Sequence, residues 1–219
     1  MSTEETITRP SIQRIAVMGG TFDPIHYGHL VTAEAVMHEY QIDQVLFVPS
    51  GQPPHKSNHQ VTSAEHRFLM TLLATETNPN FFCSRIEIDR TGYTYTIDTI
   101  RELQRMYPGT EIYFITGADA FSQILTWKDP EILLSSCHFV AATRPGYSRK
   151  KAAPQIEAVI DRHANTLHYL EVPALAISSS DIRSRVQEGR PIKYLLPETV
   201  ENYIIKHGLY RTGSDSNDK

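Results

Sequence analysis

One run of this chain holds residues whose types and spacing can do chemistry: Gly19-Gly20-Thr21-Phe22-Asp23-Pro24-Ile25-His26-Tyr27-Gly28-His29-Leu30. Two glycines after an apolar stretch let the backbone turn and let a ligand come close. A helix starting near Tyr27 or Gly28 offers its first N–H groups, and the positive end of its dipole, to an anion. His26 and His29 stand three residues apart, so both rings can face that anion. Gly28 between them leaves room for phosphate oxygens. Two other readings of the pair stand beside the phosphate cradle. One is a zinc site, which lacks a third ligand and any soft ligand nearby. The other is two unrelated surface histidines, which the Gly-Gly-to-helix junction disfavours.

Further candidates lie downstream. Ser178-Ser179-Ser180 precede a helix and can cap it. The same exposed N–H groups suit a polyphosphate, and Arg183 adds a fixed cationic fork. Asp119, just past a strand, can accept from ribose hydroxyls or cap a helix. Trp127, the only tryptophan, suits either the core or a stacked ring. His55 and Lys56, in a Pro-rich loop, and Arg144 read by type alone as solvated. The other histidines (His38, His59, His66, His138, His163, His168 and His207) form no ligand pattern.

Short apolar runs alternate with helical patterns and position these residues. Strands are expected at Ile12–Met18, ending at Gly19-Gly20, and at Gln44–Val48, Phe81–Ile88, Glu111–Thr116, His138–Ala142 and Leu167–Val172. Helices are expected at His29–Tyr40, Ala64–Thr75, Thr96–Met106, Pro130–Ser135, Ala152–His163, Ser180–Gln187 and Pro197–His207. Thr62 and Glu65 have capping-box spacing. Arg144-Pro145-Gly146-Tyr147 reads as a turn. The alternation predicts an α/β fold: a doubly wound, mostly parallel sheet with helices on both faces. Ligands then bind at the carboxyl ends of the strands. One domain over 12–210 is expected, with loose tails at 1–11 and 211–219.

Composition narrows the function. The 219 residues carry a net charge of −4, so neither a long nucleic acid nor an anionic membrane is an expected partner. Cys83 and Cys137 lack metal-knuckle spacing and read as buried thiols. No apolar run approaches the ~20 residues that span a bilayer, and the first residues lack a signal core. The expectation is a soluble protein of the cytoplasm. The basic run Arg149-Lys150-Lys151 reads as a solvated loop.

His26-Tyr27-Gly28-His29 resembles the His-x-Gly-His signature of the nucleotidyltransferase superfamily related to class I aminoacyl-tRNA synthetases. The longer run Gly19–Leu30 is similar to that of the bacterial nicotinate-mononucleotide adenylyltransferase family. The likeness extends from about Ile15 to Tyr210. Pro53-Pro54-His55-Lys56, Tyr95-Thr96-Ile97-Asp98-Thr99, Thr126-Trp127-Lys128 and Arg144-Pro145-Gly146-Tyr147 resemble its substrate-side segments. Gly117-Ala118-Asp119 and Ile177-Ser178-Ser179-Ser180-Asp181-Ile182-Arg183 resemble its ATP-side segments. Ser180 stands where Thr is frequent in the family, and the hydroxyl is kept.

The resemblance implies an adenylyltransferase of NAD biosynthesis, joining ATP and nicotinate mononucleotide to give nicotinate adenine dinucleotide and pyrophosphate. It implies catalytic roles for His26, His29 and Arg183. ATP would meet Gly19, Gly20, Thr21, Phe22, His26 and His29. It would also meet Gly117, Asp119, Ile177, Ser178, Ser179, Ser180 and Arg183. The mononucleotide would meet His55, Lys56, Tyr95, Thr96, Trp127, Lys128 and Arg144. Mg²⁺ would be bound mainly through ATP phosphates, with no metal held by the chain. Three alternatives remain: transfer to phosphopantetheine or glycerol 3-phosphate, a non-catalytic nucleotide sensor, and an aminoacyl-tRNA synthetase fragment. The Tyr95–Thr99, Trp127 and Arg144 segments argue against the first. Intact His26, His29 and Arg183 argue against the second. No Lys-Met-Ser-Lys-Ser loop or tRNA-binding domain supports the third.

Overall fold

The central strands are apolar at consecutive positions, which only a sheet covered on both faces can bury. The computed structural model describes residues 12–52, 61–143, 158–159, 161–173 and 176–211. Its strands are β1 (Arg14–Gly20), β2 (Gln44–Pro49), β3 (Phe81–Cys83), β4 (Glu111–Gly117), β5 (His138–Thr143) and β6 (Leu167–Glu171). Its helices are α1 (Tyr27–Glu39), α2 (Ala64–Thr75), α3 (Thr96–Met106), α4 (Ala118–Phe121), α5 (Pro130–Ser136), α6 (Ser179–Gln187) and α7 (Glu198–His207). The strands form one parallel sheet in the order β3-β2-β1-β4-β5-β6.

Ile15, Val17, Leu46, Val48 and Phe114 face one layer, with Ile97 and Ile100 of α3 and Leu133 of α5. Ala16, Met18, Val45, Phe47 and Ile115 face the other. There they meet Val36 of α1, Met70 of α2, Ile182 of α6 and Val200 of α7. The doubly wound expectation holds. The strand order reverses between β1 and β4, which opens a crevice at their carboxyl ends.

Three local expectations are corrected. β1 runs on through both glycines, with Gly19 opposite Val48 and Gly20 opposite Pro49, so the turn follows the pair. The strand expected over Phe81–Ile88 stops at Cys83. Arg85 there pairs with Glu65 and Asp89, the Asp89 N–H closes a turn on the Arg85 carbonyl at 2.9 Å, and Glu87 is left buried. The cap of α2 is Ser63 rather than Thr62: the Ser63 hydroxyl accepts from the His66 N–H at 3.4 Å. Thr62 is otherwise engaged, its N–H donating to Asp23 Oδ2 and its carbonyl accepting from Arg67.

The expected helix over Ala152–His163 lies largely outside the described residues, of which 158–159 and 161–162 are helical. Burial raises both thiols, of Cys83 and Cys137, to about 12, and neither is in a disulfide. Among the described residues no helix is long and apolar enough to cross a membrane.

Candidate active site

The chain leaves β1 at Gly20 and enters α1 at Tyr27, and His26 is the N-cap. The rings of His26 and His29 stack with centroids 3.8 Å apart. The His26 N–H donates to His29 Nδ1 at 3.2 Å. A neutral imidazole that accepts at Nδ1 carries its proton at Nε2, so His29 presents an N–H donor there. Burial lowers the His26 ring to about 4, and burial together with the His26 ring holds His29 well below its ordinary value. Both rings are therefore neutral donors at pH 7 before any anion arrives. His26 Nδ1 is buried and has no hydrogen-bond partner among the described residues.

Two assignments in this run change. Phe22 is 2% exposed, belongs to the core and sets its ring edge against His29 at 5.1 Å. Its side chain positions His29, and only its backbone is left for ATP. A Cβ on Gly28 would come within 3.0 Å of the His26 ring. Gly28 thus makes room for the imidazole itself rather than directly for phosphate oxygens.

The N-terminus of α6 lies against the same loop. Ser178 caps the helix, its hydroxyl accepting from the Asp181 N–H at 3.1 Å. Ser179 Oγ donates to the Pro24 carbonyl at 2.8 Å. Arg183 Nη1 donates to the Asp23 carbonyl at 2.6 Å, and its Nη2 to Ser180 Oγ at 3.3 Å. The serine hydroxyls thus serve structure, while the first N–H groups of the helix stay available to an anion. Arg183 and Ser179 bring the two helix starts together.

A second feature opens on the other face of the sheet. A cavity of about 420 Å³ is walled by Gly19, Gly20 and Thr21 on one side and by Tyr95, Thr96, Trp127 and Lys128 on the other. Trp127 is partly buried and stands edge-on to Phe114, with centroids 6.1 Å apart. Tyr95 caps α3 without a side-chain bond. The first α3 amides to bond within the chain are those of Asp98 and Thr99, both to the Tyr95 carbonyl, which leaves the Thr96 and Ile97 N–H groups free within the helix. Lys128 Nζ lies 2.9 Å from Asp98 Oδ2 and 4.7 Å from the Tyr95 ring centroid.

The structure therefore gathers Gly19, Gly20, Thr21, Tyr95, Thr96, Trp127 and Lys128 at one cavity, and His26, His29, Ser179 and Arg183 at one cradle. Gly117 caps the four-residue α4, and Asp119 lies exposed in its first turn; neither lines the cavity. His55, Lys56 and Arg144 lie outside the described residues.

Two residues were missed by the sequence reading. Arg67 of α2 is 2% exposed. Its guanidinium donates to the carbonyls of Thr62 at 2.9 Å, Thr21 at 2.8 Å and Gly51 at 3.2 Å. It ties the β1–α1 loop to the chain on both sides of 53–60. Glu87, also buried, lines the cavity and accepts from Thr99 Oγ1 at 2.7 Å. Burial raises its carboxyl, against the opposing pull of Thr99, Thr94, Arg90 and Arg67.

Two helix starts meeting at the switch point of a parallel sheet form an anion-binding arrangement common to nucleotide-binding folds, and residues 17–185 match the cytidylyltransferase-like family model, which places the chain among the nucleotidyltransferases. The chain is 58% identical over 213 residues to a Moorella thermoacetica protein named "Probable nicotinate-nucleotide adenylyltransferase", covering 95% of this chain and 96% of that one. It is 57% identical to a protein of the same name from a Thermoanaerobacter species, over 93% and 97% of the two chains. The chain belongs to the nicotinate-nucleotide adenylyltransferase family. The fold is also that of a Plasmodium falciparum nicotinic acid mononucleotide adenylyltransferase solved with NaAD. That structure has a TM-score of 0.74 at 23% identity and covers 90% of this chain and 97% of its own.

Proposed function

We propose that this chain transfers an adenylyl group from ATP to nicotinate mononucleotide, with the polyphosphate in the His26–His29 and α6 cradle and the pyridine ring in the cavity. The observation that carries this is the shared edge: one continuous segment, the end of β1 and the turn after it, walls the cavity with Gly19–Thr21 and carries the cradle at Asp23. A phosphate oxygen of the mononucleotide attacks the α-phosphorus and forms a new P–O bond. The bond from the α-phosphorus to the bridging oxygen breaks, and pyrophosphate leaves. The attacking oxygen is already anionic, so no protein nucleophile is needed. Catalysis is positioning and charge stabilisation.

His26 and His29 donate to oxygens on the α- and β-phosphates. Ser178–Ser180 N–H groups and Arg183 hold the β and γ groups. These donors suit phosphate oxygens and offer no ligand to a cation, so a Mg²⁺ ion would enter bound to the ATP phosphates, where it would neutralise charge. Gly117, which ends β4, and Asp119 just after it are the proposed contacts to the adenosine ribose of ATP. His55, Lys56 and Arg144 complete the proposed mononucleotide side.

Two predictions follow from the cavity. If Trp127 stacks on the pyridine, Trp127→Ala weakens mononucleotide binding roughly 5- to 150-fold, as loss of ~1–3 kcal/mol of stacking requires. ATP binding stays nearly unchanged. A loss of thermal stability with an intact mononucleotide KM would return Trp127 to a core role only.

The second concerns acid against amide. A carboxylate only accepts hydrogen bonds, whereas a carboxamide also donates. The Thr96 and Ile97 N–H groups at the uncapped start of α3 suit the carboxylate and leave the amide NH₂ facing another donor. An unpaired buried donor costs ~1–3 kcal/mol, so kcat/KM should favour nicotinate mononucleotide over the amide by roughly 10- to over 100-fold. The preference largely survives Lys128→Ala, because Asp98 already engages that ammonium. Equal kcat/KM for the two acceptors would refute the donor-lined pocket.

A further inference from the structure

Glu87 is a carboxylate built into the wall of a cavity that is to take an anion, and that calls for an explanation. Its loop is fixed against the end of β2. A Cβ on Gly51 would lie 2.1 Å from the Glu87 carbonyl oxygen, so only glycine lets these backbones touch. The Thr94 N–H donates to the Gln52 carbonyl at 3.1 Å and fastens the loop a second time. Behind the carboxyl, Arg90 Nη1 donates to Thr99 Oγ1 at 3.0 Å, and Thr99 Oγ1 donates to Glu87 at 2.7 Å. This relay orients the carboxyl, which has no ion pair among the described residues. A carboxylate offers about four acceptor positions, so capacity remains on its cavity side. Ser50, next to Gly51, lines the same cavity, and its buried hydroxyl has no partner among the described residues.

Nicotinate mononucleotide carries negative charge at its phosphate and at its ring carboxylate, and one positive charge at its pyridinium nitrogen. Fully ionised, it has only two hydrogen-bond donors, the 2′ and 3′ hydroxyls of its ribose. A carboxylate beside this dianionic ligand is accommodated where it accepts from those hydroxyls or faces the pyridinium, and the neighbouring Ser50 hydroxyl, a neutral donor and acceptor, favours the hydroxyls. A diol also supplies an acceptor for the unpartnered Ser50 hydroxyl. We propose that Glu87 and Ser50 form the subsite for the ribose hydroxyls of the mononucleotide, an inference that rests on the cavity being the mononucleotide site.

The test is a substrate–residue cycle. Wild type, Glu87→Gln and Ser50→Ala are assayed with ATP and nicotinate mononucleotide, its 2′-deoxy and 3′-deoxy analogues, and its ring-reduced dihydro analogue, which lacks the positive charge on the ring nitrogen. With wild type, removing at least one hydroxyl should lower kcat/KM roughly 10- to 150-fold, the range for a hydrogen bond to a charged group. In Glu87→Gln the intact nucleotide should lose activity, and the same deoxy analogue should lose much less again, because both changes remove one contact. KM for ATP stays constant. Deoxy analogues as good as the parent overturn the proposal, and so do losses that multiply. A Glu87→Gln effect that vanishes only with the dihydro analogue would assign the carboxylate to the pyridinium charge and overturn it too. Should Glu87→Gln not fold, the Ser50→Ala cycle decides by the same criteria. Wild type inactive with the parent mononucleotide would instead overturn the proposed function, a distinct result.

Discussion

His29→Ala is expected to lower kcat by ~10²–10³-fold, about 2.7–4 kcal/mol, with a smaller change in KM for ATP. The reasoning starts from tautomer and packing. The His26 N–H fixes His29 Nδ1 as an acceptor, which leaves the proton on Nε2. The stacked His26 ring and the edge of Phe22 hold the plane of that ring. The result is a donor set in place before substrate arrives, so little reorganisation is needed as charge grows on the phosphate oxygens. Such a donor acts more on the transition state than on the ground state. Steady-state kinetics at saturating mononucleotide measure this. An unchanged kcat would remove His29 from the mechanism, and a large KM effect alone would make it a uniform ATP binder.

Arg67→Ala is expected to cost about 3 kcal/mol of stability, because three part-buried carbonyls lose the same buried donor at ~1 kcal/mol each. For a chain of this size that is roughly 6–12 °C in Tm. Arg67→Lys should recover only part of the loss, since one ammonium cannot reproduce a planar fork serving Thr62, Thr21 and Gly51. Thermal and urea unfolding of both variants provide the check. A shift below about 1 kcal/mol in Arg67→Ala would show that water replaces the guanidinium and that the two loops hold their places unaided.

Arg67 also shows where sequence reasoning runs out. Its partners are backbone carbonyls at 21, 51 and 62, and a carbonyl leaves no mark on residue type. One signal was present: Arg67 shares the buried stripe of α2 with Met70, Thr71 and Ala74, a position where a cation needs a partner. Glu87 was hidden differently. It sits in Phe81–Ile88, whose polar–apolar alternation reads as a strand, yet the strand ends at Cys83 and a backbone turn, Asp89 N–H to the Arg85 carbonyl, follows. Phe22 and Gly28 looked like ligand contacts because they lie inside a phosphate motif, and the folded chain uses both to set the histidine rings. What was legible was periodic or local. The apolar runs announced a two-faced parallel sheet, and Gly-Gly followed by His-Tyr-Gly-His announced a helix-start anion site. The pairing of α6 with the Asp23–Pro24 carbonyls, 155 residues apart for Ser179, depends on tertiary packing that local pattern does not encode.

The most direct test of the adenylyl-transfer reading is to incubate the protein with ATP, Mg²⁺ and each acceptor separately, and to quantify pyrophosphate and the adenylylated product by chromatography. Nicotinate mononucleotide should give nicotinate adenine dinucleotide and pyrophosphate in equal amounts. Phosphopantetheine and glycerol 3-phosphate, the latter with CTP as well, should give none. Pyrophosphate released with either of those acceptors, and no dinucleotide from nicotinate mononucleotide, would contradict the account.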